Sequence, residues 1–224
     1  MVETKDALAG KFIVIEGLDG SGTTTQLNLL KEWAQAGAPG AGVDKPIHFT
    51  WEPTPGPAGC VARLALNKRL QPFDEKTMAL LYAADRTDHI YKEGIGGQEP
   101  GILSKLREGT HVICDRYVLS SLAYQGRQLG LEWTFQANGY AIPPDVTVYI
   151  DVDPENAARR LAAGRSHQDR YESLPEQREI RAQYVQAIKF LREKGQRVEV
   201  VSGEGSPEEV RDAVLRVILP ILRA

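Results

Sequence analysis

Short apolar runs alternate along this chain with longer stretches in which apolar residues recur every three or four positions. The first run, Phe12 to Ile15, is β-branched and ends in a glycine-rich turn; a helical pattern then starts near Thr23 and ends near Gly37. Ile47 to Thr50, His111 to Cys114, Val146 to Ile150 and Val198 to Val201 repeat the strand signal and read as buried strands. Between them, helical spacing is plainest in Met78, Leu81 and Ala84, in Ile180, Tyr184, Ile188 and Leu191, and in Val210, Val214, Val217 and Leu219. Pro154 and Pro207 fall where a first helical turn would begin, a place that tolerates the missing N–H. Parallel strands need helical crossovers, so the alternation predicts a doubly wound, parallel, five-stranded α/β sheet flanked by helices.

Three stretches break the pattern: the small-residue loop Gly37 to Gly42, the run E-G-I-G-G-Q-E-P-G ending at Gly101, and the polar, basic segment Gly164 to Pro175. There is no internal repeat. At 224 residues the chain fits one domain, and 42% hydrophobic with 25% charged residues excludes a fibrous or disordered protein. The formal charge of −3 provides no global positive field, so neither a nucleic-acid polymer nor an anionic membrane is an expected partner. Cys60 and Cys114 lie too far apart in sequence for a CxxC pair and suit a reducing cytosol. No run approaches the roughly 18 apolar residues of a membrane span, and M-V-E-T-K-D at the start lacks the order of a secretory signal, so the expected location is cytoplasmic.

The segment G-L-D-G-S-G-T-T-T, Gly17 to Thr25, follows a strand and opens a helix, the context a phosphate-binding loop requires. Gly17, Gly20 and Gly22 let the backbone curl, so that N–H groups running through Ser21, Thr23, Thr24 and Thr25 can face phosphate oxygens at the positive end of the helix. Thr24 holds the position whose hydroxyl ligates Mg²⁺. The pattern G-x-x-x-x-G-K-[ST] expects lysine where Thr23 stands. Losing such a preorganised donor is expected to cost about 10²- to 10³-fold in turnover unless another cation compensates. The alternative is a glycine turn that caps a helix and binds nothing.

Further along, Tyr82 and Arg86 are four apart and share a helix face, offering a ring to stack on a base and a guanidinium to read it. Ordinary packing of Tyr82 and a surface ion pair of Arg86 with Glu93 or Asp85 is the competing interpretation. Asp115 and Arg116 emerge at the carboxyl end of a strand, where open α/β sheets bind ligands. Asp115 could order water around Mg²⁺ and Arg116 could grip a phosphate, or the two could pair and cap the next helix. Arg165 and Arg170, with Arg159 and Arg160 just before, could close over transferring phosphates, or form a solvated basic face.

In order, G-L-D-G-S-G-T-T-T-Q, W-E-P-T-P-G, L-Y-A-A-D-R, D-R-Y-V-L-S-S-L-A-Y-Q-G, P-P-D-V-T-V-Y-I-D and D-R-Y-E resemble the thymidylate kinase family, from Phe12 to about Tyr184. The resemblance implies a P-loop NTPase-type fold with a short lid at about 164–175, and transfer of the γ-phosphoryl group of ATP to dTMP with Mg²⁺, usually by a homodimer. It would set Asp19 near the acceptor sugar and metal, Glu52 in the acceptor site, Tyr82 on thymine and Arg86 at its exocyclic oxygen. Ser120 and Ser121 would contact the acceptor, Tyr124 would lie beneath the deoxyribose, and Arg116 would hold the acceptor phosphate. Gly20 stands where some members carry a loop arginine, which points to lid arginines, Arg165 and Arg170, as the catalytic ones. Thr23 and Trp51 depart from the family pattern, the latter where many members have the arginine of R-E-P, and both remove positive charge.

In-line transfer to an already ionised phosphate needs no general base, so His48, His89, His111 and His167, which share no spacing, are expected on the surface or in the core. Two alternatives stand beside this expectation. One is a kinase for another deoxynucleotide or for a deoxynucleoside, whose hydroxyl would need a base such as Glu52. The other is a catalytically impaired nucleotide-binding protein that keeps the fold.

Overall fold

A computed structural model describes residues 8–38, 42–71, 73–94, 99–164 and 173–224. Five strands, β1 (Phe12–Gly17), β2 (Ile47–Trp51), β3 (His111–Asp115), β4 (Val146–Asp151) and β5 (Val198–Ser202), form one sheet in the order β2-β3-β1-β4-β5. Every pairing is parallel. The sheet predicted from the apolar runs is therefore present, with three refinements. β2 sits at one edge and is half-buried rather than buried, β5 sits at the other with Val200 exposed, and β1 continues past the apolar run through Glu16 and Gly17.

Alternation along the strands sorts the core into two layers, since successive side chains point to opposite faces. Ile13 and Ile15 pack with Leu27 and Leu30 of α1 (Thr23–Gln35) and with Val210, Val214 and Ile218 of α10 (Pro207–Leu222). Phe12 and Val14 pack on the other face with Ile90 of α3 (Glu75–Tyr91), Ile102 and Leu106 of α4 (Ile102–Arg107), Leu122 of α5 (Val118–Tyr124), and Ile180, Tyr184 and Leu191 of α9 (Leu174–Glu193). Helices on both faces make the sheet doubly wound. Pro154 opens α8 (Pro154–Gly164) and Pro207 opens α10, where Ser206 and Glu209 complete a capping box.

The helix over Met78 to Ala84 forms as predicted, but its buried face is different. α3 buries Met78, Ala79, Ala83, Asp85, Arg86, His89 and Ile90, whereas Leu81 is half-buried and Ala84 exposed. Charged residues occupy this face because it borders a polar cleft that Arg86 lines. Among the described residues no helix is long and apolar enough to cross a membrane.

Candidate active site

The loop between β1 and α1 has the geometry of an anion cradle. Gly20 (φ 84°) and Gly22 (φ 94°) adopt left-handed conformations that side-chain-bearing residues rarely take, and a Cβ on Gly20 would lie 2.4 Å from the carbonyl oxygen of Ala157 in α8. Gly22 is the N-cap of α1 and supplies no side-chain cap, which leaves first-turn N–H groups for an anion. Thr23, in the lysine position, turns inward and is only 5% exposed, whereas Thr24 and Thr25 face out. Ser21 Oγ is buried with no hydrogen-bond partner among the described residues.

Asp115 and Arg116, adjacent at the end of β3, serve opposite sides of this loop. Asp115 Oδ2 accepts the Thr24 hydroxyl at 3.0 Å, while its buried Oδ1 has no hydrogen-bond partner among the described residues. Burial pushes the Asp115 carboxyl up from its ordinary value, against the pull of Arg116 and the hydroxyls of Thr23 and Thr24. A carboxylate held dry with one free oxygen, beside a hydroxyl at the loop mouth, is a set of hard oxygen donors that fits Mg²⁺. Trp51, opposite Asp115 in the β2–β3 register, is 47% exposed at the rim.

Arg116 faces away from Asp115, so the two do not form the helix-capping pair that was the alternative. Its Nη2 lies 2.6 Å from Asp19 Oδ1, and its Nη1 donates to the Gly17 carbonyl at 3.1 Å and to Ser120 Oγ at 3.2 Å. Tyr124 donates to the other Asp19 oxygen at 3.0 Å. Asp19, Glu52, Tyr82, Arg86, Arg116, Ser120, Ser121 and Tyr124, the eight residues assigned to the acceptor from the sequence, line one cleft, joined by Pro53, Leu66, Tyr117 and Gln125. A separate cavity lined by Lys11, Arg107 and Asp145 opens at the amino-terminal edge of the sheet and contains none of them.

At the far end of the cleft Arg86 is 3% exposed and pairs with neither Asp85 nor Glu93. Its Nε and Nη2 both lie 2.8 Å from Glu52 Oε2, and its Nη1 donates to Ser121 Oγ at 3.2 Å and to Asn138 Oδ1. The remaining Glu52 oxygen meets His89 Nδ1 at 3.1 Å, and His89 Nε2 meets Thr50 Oγ1 at 2.8 Å. Asp85 instead accepts the N–H and hydroxyl of Thr54, at 2.8 and 2.5 Å, which ties α3 to the turn after β2. Glu52, His89 and Cys114 are, among the described residues, the one convergence of three side chains able to ligate a metal, with donor atoms within 4.8 Å. Both imidazole nitrogens and both carboxylate oxygens already have protein partners, so the group reads as a hydrogen-bonded brace behind Arg86.

His89 and Asn138 were not singled out as site residues from the sequence. His89 is one turn from Arg86 on α3, a helical spacing that could have flagged it; Asn138 lies 52 positions from Arg86 and carried no signal. Gln177 of α9, which donates to the Asp19 carbonyl at 3.3 Å, was missed for the same reason. Arg165, Arg170 and His167 lie outside the described residues, as does most of the predicted lid. At the lid's base, Arg178 of α9 donates to Glu155 of α8, and Arg181 grips Asp151 through two contacts of 2.8 Å.

Comparison with known proteins agrees with this geometry. The profile of the family described as thymidylate kinase matches residues 15–214. A protein of Pyrococcus abyssi named probable thymidylate kinase is 36% identical over 217 residues, covering 94% of this chain and 97% of its own. The thymidylate kinase of Ligilactobacillus salivarius is 33% identical, over 94% of this chain and 98% of its own. That of Enterococcus faecalis is 35% identical, over 95% and 97%. A family match across the phosphate loop, the cleft and nearly all of the sheet, with relatives aligned along almost their whole length, makes this chain a member of the thymidylate kinase family.

Proposed function

We propose that the protein transfers the γ-phosphoryl group of ATP to the phosphate of dTMP, giving dTDP and ADP. One observation carries the reading furthest: eight acceptor residues drawn from four separate segments line a single cleft that begins at Asp19 of the phosphate loop. In this proposal the loop N–H groups of residues 17–25 hold the ATP phosphates. Thr24 and Asp115 would hold Mg²⁺, Asp115 directly or through water; when bound, the ion neutralises charge on the β- and γ-phosphates. Arg116, its guanidinium already aimed by Asp19 and Ser120, takes the acceptor phosphate. Tyr82 and Arg86 with Ser121 address the base, and Tyr124 underlies the sugar.

The acceptor phosphate is ionised and is itself the nucleophile, so no side chain has to remove a proton. Glu52 supports this reading over a nucleoside kinase, because both of its oxygens are already engaged, one by Arg86 and the other by His89, which ties it to the base end of the cleft. Arg165 and Arg170 retain the lid role that the family pattern implies, stabilising charge on the transferring group within one kinase domain. The same proposal includes cytoplasmic location and a homodimer, for which sedimentation velocity is the direct check. A coupled ADP-release assay with dTMP, dUMP, dCMP, dGMP, dAMP and thymidine tests the activity. Turnover is expected to be highest with dTMP; turnover of thymidine without dTMP would overturn the proposal.

A further inference from the structure

Glu16 belongs to none of the groups assigned so far, yet it lies under the centre of the site. It is fully buried, one residue beyond the apolar run of β1. Its Oε1 accepts the backbone N–H of Tyr117 at 2.8 Å and of Ser120 at 3.0 Å, and its Oε2 accepts the Ser120 hydroxyl at 2.5 Å. These contacts bracket Arg116, whose φ of 68° is left-handed, a conformation that costs a residue with a Cβ and persists where its surroundings enforce it. The Arg116 N–H donates to Ile15 O at 2.8 Å, so β1 grips the chain immediately before and after the turn at Arg116. Ser120 Oγ, which donates to Glu16, receives Arg116 Nη1 and lies 3.1 Å from the Tyr184 hydroxyl. That hydroxyl in turn meets the Gly17 carbonyl at 3.0 Å.

We infer that Glu16 is a positioning residue for the acceptor phosphate, fixing both the strained backbone and the guanidinium direction of Arg116 without touching substrate. The inference rests on the phosphoryl-transfer reading above. Closing the start of α5 needs hydrogen-bond acceptors but no charge, and a charge here is costly. Burial pushes the Glu16 carboxyl up to about 7, against the opposing effects of Ser120, Arg116 and Tyr117. The groups facing it are Cys114 of β3, Arg116 and Ser120 after β3, Tyr149 of β4, Tyr184 of α9 and, further off, Arg86 of α3. The cation linked to it through one hydroxyl is Arg116, which gives the anion its use.

Glu16→Gln keeps the size of the side chain and an oxygen for the two N–H donors, but removes the charge. With dTMP and ATP varied separately, the KM for dTMP is expected to rise about 10- to 100-fold, the range for losing a charge-assisted hydrogen bond. KM for ATP should stay within about twofold and kcat should fall less than KM rises. The melting temperature at pH 8 should equal or exceed the wild-type value. An unchanged KM for dTMP would overturn the inference, as would a parallel loss for both substrates with a lower melting temperature. Wild-type protein that binds dTMP without turning it over would sink the phosphoryl-transfer reading alone, because calorimetric affinities for dTMP in wild type and Glu16→Gln still read the positioning role. Wild-type protein that fails to bind dTMP overturns both.

Discussion

The phosphate loop and the acceptor cleft meet at Asp19 but are built on opposite plans. The loop relies on backbone: two left-handed glycines, an uncapped helix start, and oxygens at Ser21 and Asp115 that are unpaired among the described residues. The cleft relies on side chains already joined to one another, Arg116 to Asp19 and Ser120, and Arg86 to Glu52, Ser121 and Asn138. A loop proposed to accept a polyphosphate and its metal gains from open polar positions that the ligand would complete. A cleft proposed to select one base and aim one phosphate gains from rigidity before binding. The absence of lysine at Thr23 deepens the contrast, since the fixed guanidinium groups among the described residues of the site all stand on the acceptor side.

The contrast predicts where damage is largest. Arg86→Ala leaves Glu52 buried without its main cation, a change that typically costs 3–5 kcal/mol. For a chain of this size the melting temperature should fall by roughly 10 °C, with dTMP binding lost, as differential scanning calorimetry and titration would record. Arg86→Met combined with Glu52→Leu should recover much of the stability and none of the binding, because it removes the uncompensated charge but not the need to read the base. Recovery of dTMP binding in the double variant would mean that the cleft does not depend on its ion pair.

Arg116→Ala separates the two plans. It removes the cation proposed to face the acceptor phosphate while leaving the loop backbone and Thr24–Asp115 in place. The expected loss is about 10²- to 10³-fold in kcat/KM for dTMP, with ADP affinity within about twofold of wild type. An equal loss of ADP affinity would show that the two halves are not independent.

Glu16 sharpens the comparison through pH. Its folded-state value, about 7, lies above the ordinary 4.5, so the native protein holds this proton more tightly than the unfolded chain. Stability from this group is therefore fully present below about 4.5 and is lost as pH rises through about 7, amounting to about 3 kcal/mol at most. Glu16→Gln lacks the titration. Its melting temperature relative to wild type should rise between pH 5 and pH 8, on the order of 5 °C. A difference that stays flat over that range would place the carboxyl outside the titrating window.

Residues whose roles are set within one local segment were legible in the sequence. The strand-loop-helix context identified the phosphate loop, and the ordered motifs named the eight side chains that line the cleft. Residues whose roles come from long-range contact were not. Asn138 matters because it meets Arg86, and Glu16 because it reaches residues 117 and 120, and neither carries a periodic signal. Hydrophobic patterning ended β1 at Ile15 for the same reason: a buried carboxylate is invisible to a rule that equates polar with exposed. On α3 the apolar spacing selected Leu81 and Ala84, whereas the buried face includes Asp85, Arg86 and His89, whose burial depends on partners elsewhere in the chain.

The smallest expected effect concerns the residue most out of place in the loop. If lysine in the loop had been the donor-side cation that catalysis needs, Thr23→Lys should raise kcat by the full 10²- to 10³-fold of a restored preorganised donor. If arginines of the 164–175 segment already supply that charge, the gain should be about tenfold or less, and Arg165→Ala should lose far more than Thr23→Lys gains. The inward position of Thr23, 5% exposed beside Asp115, adds a structural reason for a small gain. A lysine there must either leave that packed position or bring its ammonium against the Asp115 carboxylate, holding it ionised at the mouth of the proposed metal position. Measuring kcat and the Mg²⁺ concentration for half-maximal rate in both variants separates the cases. A small gain in kcat with a raised Mg²⁺ requirement is the expected outcome, and a large gain with no loss in Arg165→Ala would return the catalytic cation to the loop.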